Sequence, residues 1–385
     1  MPTAGKSINK VRFERFGGIL SSEDPAMLVH VDRDFMRELG YNDSPLWEQP
    51  ENGLLSAPCE VHFSVTNRCG SRCKGCYMDS GAPDRGELSF DDFRRAVDLF
   101  AGMGVFHMAL GGGEAFERSD FLDIARYVRS RGIVPNLTTN GFHITREIAR
   151  ECRVFGQVNV SIDGIGDLYR DIRGVDGFSR ACDALELLRE AGVQTGINCT
   201  VSRRNFDYLE EIIVLAKQYD LHDVELLRFK PFGRGTHIYD AVKLTSGQYR
   251  EVYPRFANLS RNYDLPIRID CSFLPMVCFH GPNLEVMDRL SVNGCDAGNT
   301  LLGVRSNGTF AGCSFCTNDE SAFNLPAVWT TSEHLTRCRS RIDRLGKPCQ
   351  ECEYLTICKG GCRAVAEFIN GDPDTPDPEC PMMAG

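Results

Sequence analysis

Between about residues 58 and 235 the chain alternates two kinds of apolar segment. Short runs at 61–65, 105–110, 133–138, 158–162, 194–201 and 224–229 are rich in Val, Ile and Phe and read as strands. Between them lie longer stretches with apolar residues at helical spacing. The clearest starts at Ser89, with Asp92 three residues on as a capping box. It carries Phe93, Ala96, Val97 and Phe100 on one face and stops at Gly104. A second covers 120–130, with Phe121, Ile124, Ala125 and Val128. A third holds Ala181, Leu185 and Leu188, and a fourth follows Asn205 at 208–219. Six strand–helix units predict a parallel sheet with right-handed crossovers. Six is short of a closed eight-unit barrel, so the expected fold is α/β, an open (β/α)6 partial TIM barrel. In such barrels chemistry collects at the C-terminal ends of the strands.

The polar residues obey that rule. Cys69, Cys73 and Cys76 form a C-x3-C-x2-C loop after the first strand. Gly111, Gly112, Gly113 and Glu114 follow the second. Thr138, Thr139, Asn140 and Gly141 end the third, and Ser161 and Asp163 the fourth. Asn198 and Thr200 lie in the fifth, and Arg228 and Lys230 end the sixth. A [4Fe–4S] cluster takes four thiolates, so a three-cysteine loop leaves one iron free to bind and reduce a ligand. A structural zinc knuckle is the plainer alternative, although zinc usually takes four ligands. Any one Gly-rich or Asn-Gly turn has an ordinary explanation. Their joint placement at one mouth argues for a site.

The chain has 385 residues, enough for two or three domains. Its net charge of −10 argues against a nucleic-acid partner. No apolar run approaches a membrane span, and the opening Met1-Pro-Thr-Ala-Gly-Lys lacks an apolar signal core. No membrane partner and a cytoplasmic location are expected. There, 18 cysteines read as metal ligands rather than disulfides. Residues 1–57 form an appendage: two short strands at 11–16 and 26–31 around a Gly/Ser/Pro-containing turn, then a helix from Asp32 to Leu39 ending at Gly40. It either covers one end of the barrel or docks a peptide along a free strand edge. Residues 236–290 form a linker with a helix at 246–263.

In the region 291–385 the cysteines return. Cys295 is followed after twelve residues by Gly308 and after four more by Cys313. Then come Cys349-x2-Cys352-x5-Cys358-x3-Cys362 and, after seventeen residues, Cys380. Such ligand-rich, helix-poor segments often need metal to be ordered. Zinc ribbons are one reading and Fe–S clusters the other. Cys152, Cys182 and Cys199 fall in helix or strand patterns and read as core. Cys59, Cys271, Cys278 and Cys338 have no assignment.

The three-cysteine loop with Gly112-Gly113-Glu114 resembles the radical S-adenosylmethionine (SAM) superfamily, and the C-terminal pattern resembles its SPASM domain. Gly111–114, Arg173-Gly174, Arg203-Arg-Asn205, Arg234-Gly235, Cys358-Lys-Gly-Gly-Cys362 and the 374–380 segment are most similar to the mycofactocin and, more loosely, pyrroloquinoline quinone peptide maturases. The resemblance implies SAM and three [4Fe–4S] clusters. It assigns Cys69, Cys73 and Cys76 to the SAM cluster, and Tyr77, Gly112, Gly113, Glu114, Thr139, Asn140, Ser161, Asp163 and Asn198 to SAM binding. The superfamily's proline after GGE is Ala115 here, and Gly75 replaces a commonly bulky residue, which would loosen packing around adenine. Cys349, Cys352, Cys358 and Cys380 would hold an outer auxiliary cluster, and Cys295, Cys313 and Cys362 an inner one. The fourth inner cysteine of relatives falls at Leu302, so Cys316 is the expected substitute, with Cys278 or an open iron as alternatives.

The implied activity is hydrogen abstraction from a ribosomally made precursor peptide by a 5′-deoxyadenosyl radical, giving a crosslink or an oxidised or decarboxylated residue. The implied electron donor is a reductase, flavodoxin or ferredoxin. A small-molecule or tetrapyrrole substrate is one alternative, and a non-catalytic Fe–S electron carrier another. A sulfatase maturase fits less well, because that family's aspartate base after the second auxiliary cysteine is Ser314 here.

Overall fold

Strand β4 (Glu60–Thr66) shows how sequence becomes architecture. Val61, Phe63 and Val65 point to one face and are fully buried, while Glu60, His62 and Ser64 line an internal cavity. That alternation is the two-residue period of a strand. Phe63 meets Phe93 of the following helix, with ring centroids 4.6 Å apart. This helix, Phe90–Met103, carries the expected capping box, Ser89 with Asp92, and ends at Gly104 in the left-handed conformation.

The computed structural model describes residues 8–23 and 26–383. The opening hexapeptide and part of the first expected turn lie outside them. The remaining strands are β1 (Lys10–Glu14), β2 (Gly17–Glu23), β3 (Ala26–Asp32), β5 (His107–Gly112), β6 (Val134–Thr139), β7 (Val158–Ser161), β8 (Thr195–Val201), β9 (Asp223–Arg228), β10 (Ile267–Ile269), β11 (Leu301–Val304) and β12 (Phe310–Ala311). The main sheet runs β10-β9-β8-β7-β6-β5-β4-β11-β12 and is parallel except for β11 with β12. Helices Phe121–Ser130, Phe178–Glu190 and Leu209–Gln218 cover it, their apolar faces continuous with one core.

The six expected strands are all present, and two further parallel strands extend the sheet. Strand β10 comes from the expected linker and β11 from the cysteine-rich region, so neither boundary divides the sheet. Both are short. Arg268 interrupts the apolar run of β10, and Gly303 that of β11. They are strands because a neighbour offers backbone partners. Leu302 lies in β11 opposite Val61 and is fully buried in the main core.

The appendage is a three-stranded antiparallel sheet, not two strands around a turn. The segment that reads as a turn is largely β2. A Cβ at Gly17 would lie 2.2 Å from the carbonyl oxygen of Val31, and one at Gly18 would lie 2.7 Å from Met36 Sδ. The two glycines thus permit a close approach rather than a reversal. Asp32 caps the helix Arg33–Glu38 by accepting from Phe35 N at 2.8 Å. Lys10 Nζ donates to Val105 O at 2.6 Å, and Arg12 Nη1 to Pro58 O at 2.8 Å. Ile19 packs with Leu55, Cys59 and Phe106. These partners lie at the N-terminal ends of β4 and β5. The appendage therefore closes the end of the barrel opposite the cysteine loop.

Candidate active site

A cavity of about 790 Å³ fills the barrel interior and its mouth. Cys69, Cys73, Cys76, Tyr77, Gly112, Gly113, Glu114, Thr139, Asn140, Ser161, Asp163 and Asn198 all line it. So do Cys295, Cys313 and Cys362.

The cysteine loop is held by its backbone. Gly70 N donates to Glu117 Oε1 at 2.7 Å and Lys74 N to Arg173 O at 3.1 Å. Arg234 Nε donates to Cys73 O at 2.9 Å, and its Nη1 to Asp79 and to Ser80 O, each at 2.8 Å. Arg173 and Arg234 are thus braces. Their Arg-Gly pairs were visible in the sequence, but their partners were not. Gly75 is filled space rather than slack: a Cβ there would lie 2.6 Å from the Phe229 ring.

Glu114 follows two glycines that admit no side chain. A Cβ on Gly112, whose φ is +114°, would lie 2.4 Å from Thr66 O, and one on Gly113 would lie 2.0 Å from Arg68 O. The Glu114 carboxylate is buried and accepts from Thr139 Oγ1 at 2.7 Å and from Asn140 N at 2.8 Å. Burial pushes its pKa above the usual glutamate range, and these two donors hold it down against that. A carboxylate has about four acceptor sites, so capacity remains for a ligand ammonium group.

Asp163 is already engaged. It accepts from Arg173 Nη1 at 2.8 Å and from Thr200 N at 2.7 Å. Asn198 is tied to Thr138 Oγ1 at 3.0 Å and accepts from Asn159 at 2.7 Å. On the cavity floor His62 lies 3.5 Å from Glu60 and 3.4 Å from Ser314 Oγ. Burial alone would lower the imidazole pKa, but its Glu60 partner wins and raises it.

The C-terminal cysteines form two groups. Cys349 feels the Cys358 and Cys352 thiols, and Cys380 feels those of Cys358 and Cys349. Burial pushes the Cys349 thiol up to about 11 and that of Cys380 to about 12. Cys278 acts electrostatically on Cys358 and stands beside this outer group. The inner group is at the cavity. Cys295 interacts with Cys313, and Cys362 with Cys295. Cys316, the expected substitute, lies beside Cys313. It is buried with its sulfur 3.5 Å from Cys313 Sγ, next to Cys338, and does not line the cavity. Cys271, unassigned in the sequence, does line it.

These donor sets fit Fe–S clusters. Two buried guanidinium nitrogens beside Cys362, Arg228 Nε and Arg363 Nε, have no hydrogen-bond partner among the described residues. Unpaired buried donors are rare, and an anionic cluster would satisfy them. Arg228 otherwise pairs with Asp377 at 2.6 Å and Glu379 at 2.8 Å, tying the mouth to the chain before Cys380.

The sequence profile of the radical SAM superfamily matches residues 63–216. The chain is 32% identical over 348 residues to the mycofactocin maturase MftC of Mycolicibacterium smegmatis, covering 87% of this chain and 85% of that one. It is 28% identical over 343 residues to an AdoMet-dependent heme synthase of Oleidesulfovibrio alaskensis, covering 83% and 86%. The solved structure of Streptococcus suis SuiB bound to the precursor peptide SuiA shares the fold, with a TM-score of 0.78 over 98% of this chain and 100% of that one, at 18% identity. The chain belongs to the radical SAM superfamily and is an enzyme that uses SAM and a [4Fe–4S] cluster. Within the superfamily it groups with the mycofactocin maturases. No helix among the described residues is long and apolar enough to cross a membrane.

Proposed function

We propose that this enzyme modifies a ribosomally made precursor peptide, leaving a crosslink or an oxidised or decarboxylated residue. The observation that carries the reading is the single cavity lined by both the 69–76 loop and the inner cysteine group. Cys69, Cys73 and Cys76 would hold the SAM cluster, the inner and outer groups two auxiliary clusters. When bound, these groups would supply one-electron reductive chemistry and, with SAM, the means to abstract a hydrogen atom. Glu114 binds the SAM ammonium, Ser161 and Asn198 face the rest of the ligand, and Tyr77 orients it. A reductase, flavodoxin or ferredoxin provides the electron.

The peptide docks as an added strand on β3. Among the described residues β3 pairs only with β2, and Met27, Leu28, Val29 and Phe35 are exposed beside its outer edge. A free edge with apolar neighbours suits strand addition.

A tetrapyrrole substrate is the second reading, favoured by the likeness to a heme synthase. An electron carrier would have no use for Glu114 braced at the mouth.

Reductant, SAM and a precursor peptide encoded nearby should give 5′-deoxyadenosine and a peptide of changed mass. A deuterated peptide should pass its label to the 5′-deoxyadenosine. The Cys69/Cys73/Cys76→Ala variant should retain auxiliary iron and release no 5′-deoxyadenosine. Label transfer from a tetrapyrrole and none from any peptide would reject the peptide reading.

A further inference from the structure

The inner cysteine group lacks one ligand. Cys295, Cys313 and Cys362 face the cavity, but the position resembling a fourth ligand, Leu302, belongs to the apolar core. Cys316 does not line the cavity: it is buried with its sulfur 3.5 Å from Cys313 Sγ and beside Cys338, whose own sulfur lies 3.7 Å from His334 Nε2.

Cys271 comes from an element the sequence did not reveal. Strand β10 pairs in parallel with β9, and Asp270 N continues the ladder to Leu226 O at 3.2 Å. This carries Cys271 to the C-terminal end of a parallel strand, level with Arg228 and Lys230. Cys271 is exposed as a residue, and it lines the internal cavity. Cys295 and Cys362 are among the groups that act on it electrostatically. Lys230, paired with Asp270, stands beside Cys271 and Cys362. Arg363, only 4% exposed, lines the same space with its Nε unpartnered among the described residues. Four thiols and two cations thus surround a space suited to an anionic group.

We propose that Cys271 is the fourth thiolate of the inner auxiliary cluster, with Cys295, Cys313 and Cys362. The inference rests on the auxiliary-cluster reading above. A fully ligated inner cluster has no open iron, so it relays electrons and does not bind substrate. Its potential is tuned by Lys230 and Arg363, since charge and hydrogen bonding around a cluster set that potential.

The test uses the full chain, reconstituted anaerobically. The wild type should bind about twelve irons, four per cluster. Cys271→Ser should lose about four of them or change one auxiliary signal in Mössbauer and paramagnetic resonance spectra, whereas Cys316→Ala should change neither. In the wild-type holoprotein Cys271 should resist alkylation and become reactive once iron is chelated, a readout that needs no variant. A wild type holding only about four irons would overturn both the auxiliary-cluster reading and this one. Twelve irons together with an alkylatable Cys271, or an unchanged Cys271→Ser spectrum, would overturn this inference alone.

Discussion

The rings of Tyr77 and Phe315 lie with centroids 5.0 Å apart and planes inclined at 38°. Tyr77 follows the last cysteine of the mouth loop, and Phe315 stands between Cys313 and Cys316. One aromatic pair therefore joins the two cysteine-bearing loops. Lys230 Nζ sits 4.6 Å from the Phe315 centroid. Phe315→Leu keeps most of the apolar volume and removes the ring pair, worth about 0.5–1.5 kcal/mol. SAM affinity measured by calorimetry should fall by roughly twofold to tenfold, with iron content unchanged. Phe315→Tyr should restore it. An unaltered dissociation constant in Phe315→Leu would show that the pair does not position Tyr77.

Glu114→Gln tests the ammonium site. A charge-assisted hydrogen bond contributes roughly 1.5–3 kcal/mol, so SAM should bind about one to two orders of magnitude more weakly. The pH dependence follows from the same burial. The Glu114 pKa in the free protein is raised above 4.5, and the carboxylate is the form that binds an ammonium group. Affinity should therefore rise with pH through that raised value and then level off. A Glu114→Gln variant that keeps this rise would exclude Glu114 as its source.

The Arg228–Asp377 pair bears on stability. Their side chains are 1% and 0% exposed. Removing one partner of a buried pair leaves a charge uncompensated, at a cost of about 3–5 kcal/mol. Arg228→Met should lower the denaturation midpoint markedly, and replacing Asp377 and Glu379 as well should recover part of the loss. If Arg228→Met matches the wild type in denaturant, the pair is not a structural tie.

The β3 edge is best tested by point substitution. Deleting the appendage would expose Phe106 and Cys59 and remove the Lys10 and Arg12 anchors. The double substitution Met27→Asp and Val29→Asp leaves those intact. Burying such side chains is worth about 1.5–3 kcal/mol each, so precursor affinity should drop more than tenfold. SAM cleavage without peptide should be untouched. Equal peptide affinity would move the docking site elsewhere.

The six long strands and their helices were legible because each carries its own period over enough residues. Strand β2 was not, because Gly17-Gly18 reads locally as a turn and only the backbone of β3 and Met36 explain it. The place of Cys271 at the cavity was hidden for a related reason. Three residues of β10 carry almost no signal, and where the cysteine points depends on pairing with β9. The C-x2-C spacing of Cys313 and Cys316 was legible as two neighbouring sulfurs, 3.5 Å apart, but spacing alone does not say which of them lines the cavity. The braces Arg173, Arg228 and Arg234 had no local signal for their partners, which lie up to 161 residues away along the chain.

The appendage grips the N-terminal ends of β4 and β5, while Glu114 and the cysteine loop sit at the C-terminal ends. A seven-residue strand such as β4 spans about 23 Å, and the loops at either end add to that. A peptide docked on β3 and modified at the mouth therefore needs at least about ten extended residues between the two points. The barrel then acts as a ruler. The residue that reacts is selected by counting from the docked segment as well as by its own chemistry. Adding or removing residues in that spacer should shift modification along the peptide without any change to the enzyme.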